Sequence, residues 1–570
     1  MVVEWPPFVF LLAGALLALC LPGRAAAIVS IAAPVLGLAH VTGLHEGTEW
    51  TLPWFGLHLV PGRVDRLGLL FGSSFHIAAL LGALYSWHVR DRVQQVASLG
   101  YAASAVGAVF AGDMLSLFVA WELMTLTSVF LIWARRTSAS VRAGMRYVIL
   151  QGLSGLMLLA GVLTRYAETG SLAFTSIGLE DGEPYAWLIL LGVGIKAAFP
   201  GAHVWITDGY PNATPTGSVW LSAFTTKVAV YVLARGYAGT EILVVIGALM
   251  AAFPIFYAVI ENDLRRVLGY SMINQVGFMV VGVGIGTELA VNGAVAHAFN
   301  DVLFKGLLFM SMGAVLHTTG RIGGAELGGL ARKMPWTATC CVVGAASISA
   351  FPLFSGFVSK SMVMAAALAE HHEFVWLVLL FASAGVFHHA GIKIPYFAFF
   401  APARGETEGI REAPWNMRLA MGVAAVLCIA IGVFPEHLYA RLPFPTDYTA
   451  YDATHVLAQT QLLFFSALAF AWLQWTRLYP PEVPATNLDA DWLWRGLGLR
   501  AFRSVRNSVE RAALAVRGSS HDVVGAALRG LTRSHGPHGL LARSWPTASV
   551  MVWVAVLLGG YLLLYFARIG

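Results

Sequence analysis

The sequence predicts an all-α polytopic membrane protein of about sixteen transmembrane helices. Among them are two inverted five-helix repeats, each containing a broken helix. Three observations predict this. Of 570 residues, 58% are hydrophobic types and only 12% are charged, with a mean hydropathy of +0.70. A soluble domain carries about 25% charged residues, so this chain cannot cover a water-facing surface. That excludes a soluble enzyme, a nucleic-acid binder and a disordered scaffold. Second, the loops between apolar segments alternate between Arg-rich and acidic. Third, ionisable residues and Pro-Gly breaks sit inside the apolar segments.

The apolar runs fall at 8–22, 25–43, 64–88, 94–112, 114–134, 146–167, 185–207, 215–237, 241–260, 267–286, 289–318, 336–367, 374–401, 415–435, 456–476 and 547–568. Glu4, Pro6 and Pro7 replace the basic start of a signal peptide, so the first run is read as a span. Loops after odd-numbered spans carry Arg24, Arg90, Arg92, Arg135, Arg136, Arg142, Arg265, Arg266, Arg321, Arg332 and Lys333. Those after even-numbered spans carry Glu46, Glu49, Asp181, Glu183, Glu288, Glu370 and Glu373. Positive charge gathers on the cytoplasmic side. Both termini are therefore expected on the outer, periplasmic side of a bacterial inner membrane. Residues 1–93 hold N-terminal helices, 94–237 and 241–401 the two repeats, 402–481 C-terminal helices, 482–546 a basic segment and 547–570 the final helix.

The basic segment has nine Arg between Arg495 and Arg543, against Glu510 and Asp522 alone. Leu497, Phe502, Val505, Val509, Ala513 and Val516 recur at helical spacing. An amphipathic helix on the cytoplasmic surface is expected, either bracing a subunit or binding anionic lipid. The four cysteines, Cys20, Cys340, Cys341 and Cys428, lie in apolar runs without CxxC or Cys/His ligand spacing. No metal or cofactor is expected.

The placement of lysine carries the functional argument. The chain has six Lys and 30 Arg. Lys196, Lys227, Lys305, Lys360 and Lys393 fall inside predicted spans, and only Lys333 lies in a loop. Arg keeps its proton, whereas a buried Lys can release one. An ionisable side chain at membrane depth is costly and marks an ion path. Lys393, near a span end, is the one most open to a snorkelling explanation. Glu122 is a carboxylate inside span five and the expected partner of Lys196. His297, Asp301 and Lys305 are spaced by four and share a helix face. His297 and Lys305 are roughly 12 Å apart along the axis, which suits a water-bridged relay. Span seven breaks at Pro200-Gly201 after Lys196, and span twelve at Pro352-Gly356 before Lys360. Broken backbone at membrane depth is tolerated where it is buried or lines a cavity. The two breaks suggest inverted repeats in which Lys196 and Lys360 are pseudo-equivalent.

The segments WELMTLTSVFLI, GVGIKAAFPGAHVWITDGYPNATPT, TTKVAVYVLAR, ENDLRRVLGYSMINQVGFMVVGVG, HAFNDVLFKGLLFMSMGAV and FPLFSGFVSK resemble the antiporter-like subunits shared by respiratory complex I and Mrp-type cation/proton antiporters. The resemblance covers about 60–475. It implies proton-translocating roles for Glu122, Lys196, Lys227, His297, Lys305 and Lys360, with Asp301 and Lys393 as a second tier. It also implies two half-channels joined by a polar axis. GIKIPYFAFF and RLYPPEVPATNLDADWLWR are most similar to the D-type subunit of Mrp Na+/H+ antiporters. The chain departs from the family in having Ile206-Thr207 where Leu-Pro is common before Asp208. Its Arg-rich helix and last span resemble the lateral helix of the largest complex I antiporter-like subunit.

These readings converge on a translocating subunit of a multisubunit Na+/H+ antiporter, with H+ and Na+ as ions and other membrane subunits and the lipid bilayer as partners. No covalent chemistry is assigned to the chain itself. The alternatives are a proton-pumping subunit of an NADH-quinone oxidoreductase or membrane hydrogenase, in which case the complex is a translocase, and a subunit of an inorganic-carbon uptake complex.

Overall fold

The structure, a computed structural model, describes residues 5–179, 182–485, 487–516, 530 and 547–567. The chain divides into two units: Met1–Leu52 with Leu59–Asn487, and Pro53–His58 with Leu488–Gly570.

The first unit opens with α1 (Val9–Cys20), α2 (Gly23–Thr42) and α3 (Arg66–Tyr85). A short two-stranded sheet of β1 (Glu49–Trp54) and β2 (Leu57–Arg63) lies between α2 and α3 in the chain. The hydropathy pattern does not register this sheet. The first repeat follows: α4 (Arg92–Phe110), α5 (Met114–Trp133), α6 (Ser138–Thr169), α7 (Pro184–Ala197), α8 (Val204–Asn212), α9 (Gly217–Ala223) and α10 (Thr225–Gly236). The second holds α11 (Ile242–Ile260), α12 (Leu264–Ile285), α13 (Glu288–Thr319), α14 (Pro335–Ile348), α15 (Ser355–Ala369) and α16 (Glu373–Val386). The last of these continues through π-helical turns at Phe387–Lys393 and Tyr396–Phe400. Then come α17 (Trp415–Val433), the short α18 (Glu436–Tyr439) and α19 (Ala453–Trp475). The second unit contains α20 (Leu499–Val516) and α21 (Thr547–Ala567).

Every predicted span is helical. Among the described residues, 13 helices are long and apolar enough to cross a membrane, and the remaining apolar helices are shorter. Those shorter ones are the 12-residue α1 and the pieces of spans seven and twelve, where the expected breaks occur. Span eight is broken as well, between α9 and α10. The sequence does not announce this break: no proline marks the site, only a distorted Phe224. Of the basic segment, 499–516 is helical as expected, with Val505 and Val509 exposed. The remainder of that segment, through 546, lies outside the described residues except for 482–485, 487–498 and 530.

The repeats keep a constant register. Asp113 caps α5 by accepting the N–H groups of Leu115 and Ser116, and its backbone bridges Ala173. Asp263 caps α12 through Arg265 and Arg266 and bridges Gly323, so both features recur 150 residues on. α6 and α13 are both 32 residues long and begin at 138 and 288, the same offset. This register corrects one expectation. Lys196 precedes its break and Lys360 follows its own, so the two lysines are not equivalent positions.

Within the second repeat, α11 and α12 approach through small residues. A Cβ on Gly277 would lie 2.5 Å from the Ala251 backbone nitrogen. In a membrane, where lipid is as apolar as leucine, such close backbone packing drives helix association. Gly277→Val should therefore force α11 and α12 apart and destabilise the fold by about 1–3 kcal/mol. The midpoint of thermal unfolding in detergent should fall; an unchanged midpoint would show that the contact is slack.

Candidate functional site

The broken helices supply acceptors to two of the buried lysines, Lys227 and Lys360. Where a helix stops at membrane depth, its last carbonyls lose their intrahelical donors. The breaks in spans seven and twelve hold residues forced off helical geometry: Ala198 at φ 66°, and Ala350 and Leu353 at φ 58° and 73°. Non-glycine residues rarely adopt such angles, and the surrounding packing must enforce them. The freed carbonyls take side-chain donors. Ile195 accepts from Trp205 Nε1 at 2.8 Å, Ser222 from Lys227 Nζ at 3.0 Å and Ile348 from Lys360 Nζ at 3.1 Å.

All five predicted lysines are buried, with at most 1% exposure. The snorkelling explanation for Lys393 is thereby removed. An ammonium has three N–H groups to satisfy, and the five differ in how many acceptors they find. Lys196 Nζ donates to the Trp121 carbonyl at 2.7 Å and to Thr125 Oγ1 at 2.9 Å, and lies 4.7 Å from the centroid of the Trp121 ring. Lys227 has Ser222 and an ion pair with Asp301 Oδ2 at 2.5 Å. Lys305 has, among the described residues, Ser271 Oγ alone, at 2.8 Å. Lys360 has the Ile348 carbonyl and the face of Phe278 at 4.9 Å. Lys393 is fully provided for: the Val259 and Glu261 carbonyls at 2.7 Å each and Glu482 Oε1 at 2.8 Å.

The expected pairs come together only in part. Glu122 and Lys196 act on each other electrostatically, yet no ion pair joins them; the ammonium takes the carbonyl of the neighbouring Trp121. Glu122 Oε1 is buried without a hydrogen-bond partner. Its carboxylate occupies the space over Gly155 of α6, where any side chain would overlap it. Along α13, the expected stripe of His297, Asp301 and Lys305 is fully buried. It is not a linear relay, because Asp301 turns to Lys227 on α10 and so joins the two repeats. His297 is held by neutral groups, Nδ1 to Ser359 Oγ at 3.0 Å and Nε2 to Gln275 Oε1 at 3.1 Å. Asn300 reaches the same Ser359 at 3.1 Å.

The 150-residue register shows how the repeats differ. His297, Asp301 and Lys305 of α13 correspond to Tyr147, Gln151 and Gly155 of α6. The first repeat thus carries a hydroxyl, an amide and a gap where the second carries three titratable groups, and the Glu122 carboxylate fills the gap. Gln151 is fully buried with neither amide atom hydrogen-bonded. Tyr147 hydrogen-bonds Ser128 Oγ at 2.7 Å, while Tyr101 bonds Thr225 Oγ1 at 2.6 Å, two residues before Lys227. The sequence does not single out these neutral groups, since serine, threonine and glutamine in an apolar run look like ordinary packing. Nor does it single out Glu482, remote from the lysines and outside any span. Burial pushes the Glu482 carboxyl above the usual carboxylate range, opposed by Lys393 and Arg404. Among the described residues no His/Cys/Asp/Glu group has metal-holding geometry.

The family description "NADH:quinone oxidoreductase/Mrp antiporter, TM" matches residues 111–387, the stretch that carries Glu122, Lys196, Lys227, His297, Asp301, Lys305 and Lys360. The chain belongs to this family. It is similar to hydrogenase-4 component B of Escherichia coli (strain K12), 28% identical over 425 residues, 67% of this chain and 63% of that one. The match thus spans less than two thirds of that relative's length. It is also similar to the D-type Na(+)/H(+) antiporter subunit of Alkalihalophilus pseudofirmus, 28% identical over 58% of this chain and 71% of that one. A chain of the membrane-bound sulfane sulfur reductase, an archaeal respiratory membrane complex, has the same fold: TM-score 0.73 and 22% identity, over 96% of this chain and 99% of that one. This chain is accordingly an antiporter-like membrane subunit of the complex I/Mrp family.

The acceptor inventory separates a clamp from the other lysines, and the clamp can be tested. Lys393→Met leaves Glu482 buried without its cation and the end of α11 uncapped. It should destabilise the fold by about 3–5 kcal/mol, read as a lower unfolding midpoint. Lys393→Met combined with Glu482→Leu should recover most of that loss. A single variant as stable as the parent would contradict the clamp.

Proposed function

We propose that this chain is the ion-translocating subunit of a multisubunit Na+/H+ antiporter of the Mrp type, seated in the bacterial inner membrane with both termini on the periplasmic side. Protons move along Glu122, Lys196, Lys227, Asp301, His297, Lys305 and Lys360. The observation that carries this reading is that four buried ammonium groups have too few acceptors, while the fifth has a full set. A lysine whose N–H groups are all accepted is bound as a cation. One with a single acceptor is only weakly held charged in a low-dielectric site, and a small movement of a carboxylate decides its proton. Asp301 lies where such a movement matters most, bound to Lys227 and acting also on Lys305 and Lys360. Glu122 plays the same part for Lys196. Likeness to the D-type Na(+)/H(+) antiporter subunit supports the choice of ions.

A second reading has one observation in its favour. The archaeal respiratory chain shares its fold along 96% of this chain, and hydrogenase-4 component B is a relative. On that reading the same path pumps protons within a redox complex. Copurified subunits separate the two: flavin and iron–sulfur proteins indicate a redox complex, small hydrophobic membrane proteins an antiporter.

Lys196→Ala should lower sodium-driven proton movement in inverted vesicles by at least about tenfold while the complex still assembles. Gly155→Ala should also slow transport, because its methyl displaces the Glu122 carboxylate. Added to Glu122→Gln, it should cost nothing further, since both act through one group. Normal transport by Lys196→Ala at matched expression would refute the translocation path.

A further inference from the structure

The nine-residue α8, the second piece of broken span seven, is gripped by four arginines from outside it. Arg135, just past α5, donates to the Pro211 carbonyl at 2.6 Å. Arg146 of α6 binds both carboxylate oxygens of Asp208, at 2.6 and 2.9 Å. From α12 in the other repeat, Arg266 Nε donates to the Thr207 carbonyl at 3.1 Å. Arg265 Nη2 donates to the carbonyls of Tyr210, Ala213 and Thr214 at 2.9, 3.0 and 3.3 Å. Arg265 is fully buried, and its Nε and Nη1 have no hydrogen-bond partner among the described residues. Burying a guanidinium on carbonyls alone is costly, so the position has a use beyond packing. An arginine keeps its charge whatever the proton supply, and its hold on these carbonyls is permanent.

The other end of α8 reaches a translocating lysine. Trp205 Nε1 donates to the Ile195 carbonyl at 2.8 Å, one residue before Lys196. Between the two pieces of the span lie Ala198 at φ 66° and Gly201 at φ 86°, a backbone suited to act as a hinge. α8 is also seated directly on α12: a Cβ on Gly269 would lie 3.5 Å from Ile206 Cγ2 and from the Thr207 Cα. α12 in turn touches the titratable groups of the second repeat. Its Ser271 accepts from Lys305 at 2.8 Å, and its Gln275 binds His297 at 3.1 Å. Contacts thus run without interruption from Lys305 through α12 and α8 to the residue beside Lys196.

We propose that α8 is a lever between the repeats and that Arg265 is a positioning residue for Lys196. The inference rests on the translocation reading and adds a mechanical link to it. When Lys305 gains or loses its proton, its hold on Ser271 changes and α12 shifts. Arg265 and Arg266 carry α8 with it, the backbone turns at Ala198 and Gly201, and Trp205 moves the end of α7. Lys196 then changes its distance from Glu122 and from its acceptors on α5, and with it its proton affinity.

The test measures sodium-driven proton movement in inverted vesicles, with a pH-sensitive dye, for Arg265→Gln, Trp205→Phe, the two combined, Arg265→Lys and Lys196→Ala. Each of the first two should transport at least about tenfold more slowly than the parent at equal assembly. Both should move the pH of fastest transport in the same direction. The combined variant should be no slower than the slower single one, since both act through one element. Arg265→Lys should recover most of the transport, because all three carbonyls are served from one nitrogen. Losses that multiply in the combined variant, or that only follow the fall in unfolding midpoint, would make the contacts merely structural and overturn the lever. Normal transport by Arg265→Gln or Trp205→Phe, with loss in Lys196→Ala, overturns the lever alone. Normal transport by Lys196→Ala overturns the translocation reading and the lever with it. Should a variant fail to assemble, backbone hydrogen exchange of the unaltered complex decides. Protection of 198–203 and of the first turn of α12 that changes together on adding sodium supports the lever; protection unchanged in either segment overturns it.

Discussion

The structure depends on how a lysine ammonium is accommodated when it is buried inside the helix bundle. Five lysines are buried, but among the described residues only four carboxylates act on them: Glu122 and Glu261 at a distance, and Asp301 and Glu482 in contact. Hydroxyls and carbonyls supply the rest, and although Lys196 takes the Trp121 carbonyl within α5, carbonyls are most available where a helix is interrupted. The breaks after α7, α9 and α14 and the end of α11 are therefore not incidental irregularities. Three of them provide the oxygens that Lys227, Lys360 and Lys393 use. The strained backbone at Ala198, Ala350 and Leu353 is the cost of exposing such oxygens.

A second consequence is asymmetry between two repeats that share a register. In the second, α13 presents His297, Asp301 and Lys305 to the axis. In the first, the matching positions of α6 are Tyr147, Gln151 and Gly155, and the charge comes instead from Glu122 and Lys196 on neighbouring helices. Duplication of one scaffold has thus produced an acid-led half and a base-led half. The Lys227–Asp301 contact couples them, one partner from each. A carboxylate that neutralises one lysine while acting on two more is placed to let the proton state of one repeat influence the other.

Much of this was legible in the sequence. Hydropathy located the apolar helices. The six lysines located the site, because a chain that writes its surface charge as arginine has a separate reason to place lysine inside. Pro200 and Pro352 revealed two breaks. The third was invisible, since Phe224 carries no sequence mark of a break. The partners were largely invisible too: a main-chain carbonyl has no letter, and Glu482 reaches Lys393 only through the fold. The assumption that the two lysines are equivalent failed because it matched them by nearness to a break, although Lys196 precedes its break and Lys360 follows its own. Likewise, helical spacing placed Asp301 on one face with His297 and Lys305, but could not show that its oxygen would be taken by Lys227 on another helix.

The central claim is that acceptor number divides lysines that exchange protons from one that holds a fixed charge. The most direct measurement replaces each kind with arginine, which keeps the charge but not the exchangeable proton. Ion-driven proton movement would be compared for Lys305→Arg and Lys393→Arg in vesicles of equal complex content. The account predicts that Lys305→Arg abolishes transport while Lys393→Arg, still able to bind Glu482 and the α11 carbonyls, retains most of it. Retained transport in Lys305→Arg, or loss confined to Lys393→Arg, would contradict the division.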